Sequence, residues 1–267
     1  MFAYPFMVNA LEAGTIVSLI AAVAGWFMVL RRQTFAGHTL AVMSFPGASA
    51  AALAGVPLAA GYFASSAAAA VAIAAGSRGR DGRDPVQESA VIGTVQVAGL
   101  ALGFLFLSLY GGILESLETM LFGSFLGITH DEVLTLLAVA AATVLFFAVA
   151  GRPLLFASVD PAAAEARGIS VRLLEPAFLL VLGLSVAATA EITGVLLVFA
   201  LLAAPAAAAQ QLTARPLLGL GLTALIALAV TWFGLGLSYF TDYPLGFLVT
   251  SAGFAVYVFA VLWRRSG

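Results

Sequence analysis

The chain has no cysteine among its 267 residues. A disulfide framework, a thiolate metal site and a cysteine nucleophile are therefore excluded. Lysine is missing too, since all 11 basic residues are arginine. That removes a Walker A phosphate loop and a Schiff-base lysine, each of which needs the amine. Charge of either sign is scarce, at 9% of residues against about a quarter in a soluble domain. Histidine occurs only at 38 and 130, too few and too far apart for clustered zinc catalysis. No aspartate lies inside an apolar run, which removes a membrane aspartyl protease. A membrane serine protease needs a serine and a histidine at depth, and His130 lies in a loop.

What is abundant is apolar, 63% of the chain. The expectation is an all-α, polytopic transmembrane helical bundle forming a single domain over 1–267. A helix needs about 20 apolar residues to cross roughly 30 Å of hydrocarbon. Nine runs qualify, at 9–30, 38–55, 56–76, 86–109, 132–150, 173–190, 193–210, 216–236 and 243–263. The count falls to eight if one is re-entrant, and the short pair 38–55 and 56–76 is the place for that. The first run has no basic segment before it and no small-residue cleavage site after it, so it reads as a true span rather than a signal peptide.

The arginines test this layout. With nine spans, all 11 fall on the same side, which the positive-inside rule makes the cytoplasm. The N-terminus is then outside and the C-terminus cytoplasmic. Six acidic residues share the inner side. Seven lie outside with no arginine: Glu12, Glu115, Glu118, Asp131, Glu132, Glu191 and Asp242. This acidic mouth either concentrates cations or reflects only the exclusion of basic residues.

Four segments carry polar chemistry. In the first, His38 opens a span, and Pro46 has no N–H to give the Val42 carbonyl four residues earlier. His38 and Val42 share a helix face, and Ser44 adds a hydroxyl. Broken helices of this kind build transporter sites, but an interfacial histidine before a proline kink reads the same way. The second is the inner loop 158–171. Asp160 is a natural N-cap, Pro161 fits the first helical position, and Gly168 is a natural stop. A short helix of about seven residues is expected there, either a docking element or a capped connector. Third, Pro205 kinks the span at 193–210, with Glu191 in the turn before it. Fourth, Leu114, Leu117, Leu121 and Phe125 have the spacing of an amphipathic helix lying at the interface. Thr129 and Glu132 then resemble a capping box, which explains His130 and Asp131 without a metal. Gly99 and Gly103 form a G-x-x-x-G suited to helix packing.

Taken together, five stretches resemble the membrane permeases of bacterial ABC importers for zinc and manganese. They are LRRQTFAGHTLAVMSFPGASAAALAG (30–55), ESAVIGTVQVAGLALG (88–103), TMLFGSFLGITHDEV (119–133), DPAAAEARGISV (160–171) and TGVLLVFALLAAPAAAA (193–209). The resemblance covers nearly the whole chain. It implies a transport subunit of the bacterial cytoplasmic membrane that is not itself an enzyme. It also implies alternating access in a homodimer surrounded by lipid. The partners it implies are cytoplasmic ATPase subunits and an extracytoplasmic metal-binding protein; nucleic acid is not among them. The inner helix becomes the coupling helix, with Asp160, Glu165, Ala166 and Gly168 at the ATPase contact. Family members carry Asp-x-x-x-His as metal ligands where this chain has His38 and Val42. Position 38 keeps a ligand-type side chain and position 42 does not. The implied pathway set is therefore His38, the Val42 carbonyl, Ser44 and Glu191. No cofactor is held permanently, and the divalent metal is substrate. An imidazole favours zinc over manganese. A rival from another class is a proton-coupled secondary transporter or channel acting without an ATPase.

Overall fold

In lipid the backbone has no water to bond with, so each spanning segment must satisfy its own N–H and C=O groups. Long runs of Ala, Leu, Val and Phe do so as helices. The computed structural model describes residues 5–77, 85–111, 128–241 and 243–266, and all their regular structure is helical. In chain order the helices are α1 (Pro5–Leu30), α2 (Thr34–Val42), α3 (Ser44–Ala54), α4 (Leu58–Gly76), α5 (Pro85–Tyr110) and α6 (His130–Val159). There follow α7 (Pro161–Ala166), α8 (Val171–Thr193), α9 (Val195–Leu212), α10 (Pro216–Phe240) and α11 (Leu245–Ser266). Among the described residues, seven helices are long and apolar enough to cross a membrane: α1, α4, α5, α6, α8, α10 and α11. The apolar part of α9 is shorter, Leu197–Leu212.

The run expected as one span at 38–55 is two helices. It begins four residues earlier, at Thr34, and breaks at Met43. Pro46 is the cause. It cannot donate to Val42, and the next bond, Gly47 N–H to the Met43 carbonyl, is stretched to 3.4 Å. Met43 keeps near-helical angles (φ −66°, ψ −15°), so α2 and α3 form a bent rod and not a hairpin. At 1.5 Å per residue the two pieces are about 14 and 17 Å long, each too short to span alone. Elsewhere the expected boundaries differ mainly in extent: α6 runs to Val159, well past the expected 150. Pro153, Pro176 and Pro205 lie inside α6, α8 and α9 respectively.

Helix α1 is the interior post, with 67% of its apolar window buried, whereas α5 is peripheral at 11%. Polar contacts show which helix ends meet. Asn9 Nδ2 donates to the Ile128 carbonyl at 3.1 Å, joining the start of α1 to the approach to α6. At the opposite end, Gln210 Nε2 donates to the Trp26 carbonyl at 3.0 Å. Arg264 bonds Gln211 at 2.7 Å, and Arg31 bonds Ser158 at 3.2 Å. The ends of α1, α6, α9 and α11, with Arg31 and Arg264 among them, thus gather at one end of the bundle.

Small residues allow the closest approaches. A Cβ on Gly47 would collide with the Gly61 carbonyl and Ser65 Oγ, and one on Gly61 with the Gly47 carbonyl. Helices α3 and α4 therefore touch backbone to backbone. The Gly99/Gly103 pair of α5 is used in the same way, receiving Met43 and Phe45–Pro46 at the α2–α3 break. Gly61→Val should force α3 and α4 apart at a cost of about 1–3 kcal/mol. The expected readout is a lower melting temperature in detergent, with Gly221→Ala, where a Cβ meets open space, unchanged.

Candidate functional site

The break between α2 and α3 concentrates the unusual chemistry. His38 stands mid-way along α2, half-buried, with its ring edge-on to Phe199 of α9 at 4.9 Å between centroids. Its Nδ1 is buried and has no hydrogen-bond partner. Ser44, the first residue of α3, is fully buried, and its Oγ also lacks a partner. Such orphaned atoms are costly inside a protein and call for an explanation. Next to His38, Thr39 donates to Gln96 Oε1 of α5 at 3.0 Å. Val42 ends α2 on the same face as His38, one turn on. The neighbouring residues Met43, Pro46 and Gly47 face a groove of about 740 Å³ between α3, α4 and α5, lined largely by alanine.

Glu191 belongs to a different level of the bundle. Helix α2 touches α8 where Leu40 meets Gly183. Glu191 is eight residues further along α8, about 12 Å at the helical rise. Among the described residues, no hydrogen bond or ion pair joins it to His38. It interacts electrostatically with Tyr62 of α4 and with Glu132 at the start of α6. Just beyond it, Gly194 adopts φ +77° and ψ 155°, a conformation open to glycine, and the chain turns from α8 into α9. Among the described residues, no three His, Asp or Glu side chains stand close enough to chelate a metal ion.

The capping box at α6 is present. Thr129 Oγ1 accepts from the Glu132 N–H at 3.3 Å, and the Glu132 carboxylate accepts from the Thr129 N–H at 2.7 Å. Glu132 therefore has a structural duty at the mouth. His130 and Asp131 are exposed beside it. Glu115, Glu118, Asp242 and the expected interfacial helix at 114–125 lie outside the described residues.

The segment at 158–171 folds as expected. Asp160 caps α7, accepting from the Ala163 N–H at 2.9 Å, and Pro161 takes the first helical position. At the other end Gly168 N–H bonds the Glu165 carbonyl at 2.9 Å, and Ile169 N–H bonds the Ala164 carbonyl at 3.0 Å. This is a Schellman stop, with Gly168 at φ +82°. Ala164 is buried against Ala157 and Val171. Asp160, Glu165, Ala166 and Gly168 are exposed.

The sequence reading did not single out Tyr62, Gln96, Phe199, Gln33 or Glu175. Gln96 could have been noticed, because an amide inside an apolar run needs a partner. Tyr62 and Phe199 look like any core aromatic until the helices are packed.

The helices form an integral membrane bundle with capped turns and a broken helix beside buried polar groups. Residues 3–264 match the family described as "ABC 3 transport family", and the chain belongs to that family. It is a permease subunit and not an enzyme. It is 29% identical to the "Probable iron transport system membrane protein" of Haemophilus influenzae, over 98% of this chain and 95% of that one. It is 29% identical to the manganese transport system membrane protein MntC of Halalkalibacterium halodurans, over 97% of this chain and 88% of that one. Its fold matches PsaBC from Streptococcus pneumoniae, solved in complex with Fab, with a TM-score of 0.83 at 22% identity, covering 96% and 91% of the two chains.

Asp160→Ala should remove the α7 cap at a cost of about 1 kcal/mol, and Asp160→Asn should cost much less. Amide hydrogen exchange over 161–168 should rise for the first and stay near the parent rate for the second.

Proposed function

We propose that this chain is the membrane subunit of an ATP-driven importer for a divalent transition metal, working by alternating access in a homodimer. The observation that carries the class is the family match across 3–264. The metal class is supported by relatives named for iron and manganese transport. His38 as a nitrogen ligand favours zinc within that class, ahead of manganese. An extracytoplasmic binding protein delivers the metal to an acidic mouth of Glu115, Glu118, Asp131, Glu132, Glu191 and Asp242. The metal then passes His38, the Val42 carbonyl and Ser44. The unpartnered Nδ1 and Oγ atoms support this route, since a passing cation gives each a transient partner.

The arrangement in the membrane follows the arginines. The bent α2–α3 rod acts as one crossing and α9 as another, making nine with the seven long helices. The end bearing Arg31, Arg167 and Arg264 is cytoplasmic. Segment 158–171 is then the coupling element, with Glu165, Ala166 and Gly168 on the face that meets separate ATPase subunits. The lack of lysine supports that division, because the chain has no Walker A residue of its own.

Uptake by metal-starved cells tests the reading. His38→Ala should cut uptake about tenfold or more, the scale of losing a metal-site group, while His130→Ala stays close to the parent. Equal effects would overturn the assignment of His38. Competition among zinc, manganese and iron identifies the substrate, and unchanged uptake on deleting the chain would refute the function. Separately, Glu165→Arg with Gly168→Val should abolish copurification of the ATPase. Retention of both the ATPase and uptake would show that α7 is not the coupling element.

A further inference from the structure

The turn between α1 and α2 is built unlike an ordinary connector. Arg32 N–H bonds the Val29 carbonyl at 3.0 Å, and Gln33 N–H bonds the Met28 carbonyl at 3.0 Å. That is the glycine-type helix stop, yet the left-handed position is occupied by arginine at φ +59°. Among the described residues it is the one non-glycine at positive φ. A residue held in that region must be restrained by its surroundings, and such places cluster at moving or functional parts.

The side chains on either side of Arg32 provide the restraint, and both reach the flanks of α7. Arg31 Nη1 donates to Ser158 Oγ at 3.2 Å, two residues before the α7 cap. Ser158 in turn donates to the Leu154 carbonyl at 2.6 Å, which leaves its oxygen turned towards the guanidinium. The Arg31 guanidinium also lies over the Phe178 ring of α8 at 5.1 Å. Gln33 is the residue before α2, and its side chain makes no capping bond to that helix. It is buried, at 6% exposure, and donates to Glu175 Oε1 of α8 at 3.3 Å. The acceptor, Glu175, is half-buried, and an amide donating to a carboxylate is a charge-assisted bond.

Helix α2 is thus a nine-residue segment bounded by a left-handed arginine at one end and the Pro46 break at the other. The turn that leads into it is tied to Ser158, two residues before the α7 cap, and to Glu175, in the second turn of α8. His38 sits at its centre. We propose that the Arg31–Ser158 and Gln33–Glu175 links transmit displacement of α7 to α2. Arg31 and Gln33 are then positioning residues that set where His38 stands. The inference rests on α7 being the ATPase-coupling element and His38 a pathway residue.

The test uses the assembled transporter, this chain with its ATPase, in vesicles, measuring ATP hydrolysis and uptake of the preferred metal ion together. The variants are Gln33→Ala, Gln33→Glu and the exchange Gln33→Glu with Glu175→Gln. Gln33→Ala should retain the ATPase and its hydrolysis while uptake per ATP falls about tenfold, the scale of a typical coupling between sites. Gln33→Glu should be as poor, since it faces a like charge. The exchange restores an amide–carboxylate pair and should recover most of the uptake. Unchanged uptake per ATP in Gln33→Ala would overturn the proposal, as would an exchange no better than Gln33→Glu alone. Loss of ATPase copurification in Gln33→Ala would also overturn it, because the link would then serve to hold α7 itself. Failure of the α7 reading shows elsewhere, in a Glu165→Arg/Gly168→Val chain that keeps its ATPase.

Discussion

A backbone carbonyl without a donor is tolerated at membrane depth only where protein covers it. Pro46 makes such a carbonyl at Val42, and much of the interior is arranged around that fact. Met43 and Phe45 are each 4% exposed, and Ser44 is fully buried. Gly99 and Gly103 of α5 have no side chains so that Met43, Phe45 and Pro46 can lie against them. Gly47 meets Gly61 on the other side. The break is enclosed on two sides by helices thinned to glycine and alanine. Any larger residue at those places would move the break towards lipid.

Enclosure of this kind also explains how polar side chains persist in a chain so poor in charge. Buried hydroxyls are mostly paired along their own helix or with a neighbour. Ser18 bonds Thr231 at 2.8 Å, and Thr143 pairs with Ser185 at 2.9 Å. Ser44 Oγ, beside the break, has no such partner, and His38 Nδ1, earlier on α2, has none either, as is also true of Trp26 Nε1 in α1 and Gln33 Oε1 before α2.

The helical architecture was legible from apolar runs, because a lipid-facing helix needs a long uninterrupted stretch. The capping box at Thr129–Glu132 and the caps of α7 were legible because each depends on residues three to eight apart. The α2–α3 break was half legible: Pro46 named the freed carbonyl, but the bend comes three residues earlier, and Thr34 begins the helix where Gln33 and Thr34 look polar enough to be loop. Glu191 was grouped with His38 as a further group to act with it, because position 42 has valine where the family carries histidine. Only packing shows that α8 carries Glu191 about two turns beyond the level at which α2 touches it. Gln33 and Glu175 were illegible, being 142 positions apart.

Helix α7 is six residues long, far below the length at which a helix stands alone. Its form is imposed from outside, by the Asp160 cap, the Gly168 stop and the burial of Ala164. The side chains of Ala162, Glu165 and Ala166 are exposed and carry none of that load. The bundle therefore presents a short outward surface whose side chains are independent of its fold. Exchanging these three outward side chains would leave the contacts of Ala164 with Ala157 and Val171 in place.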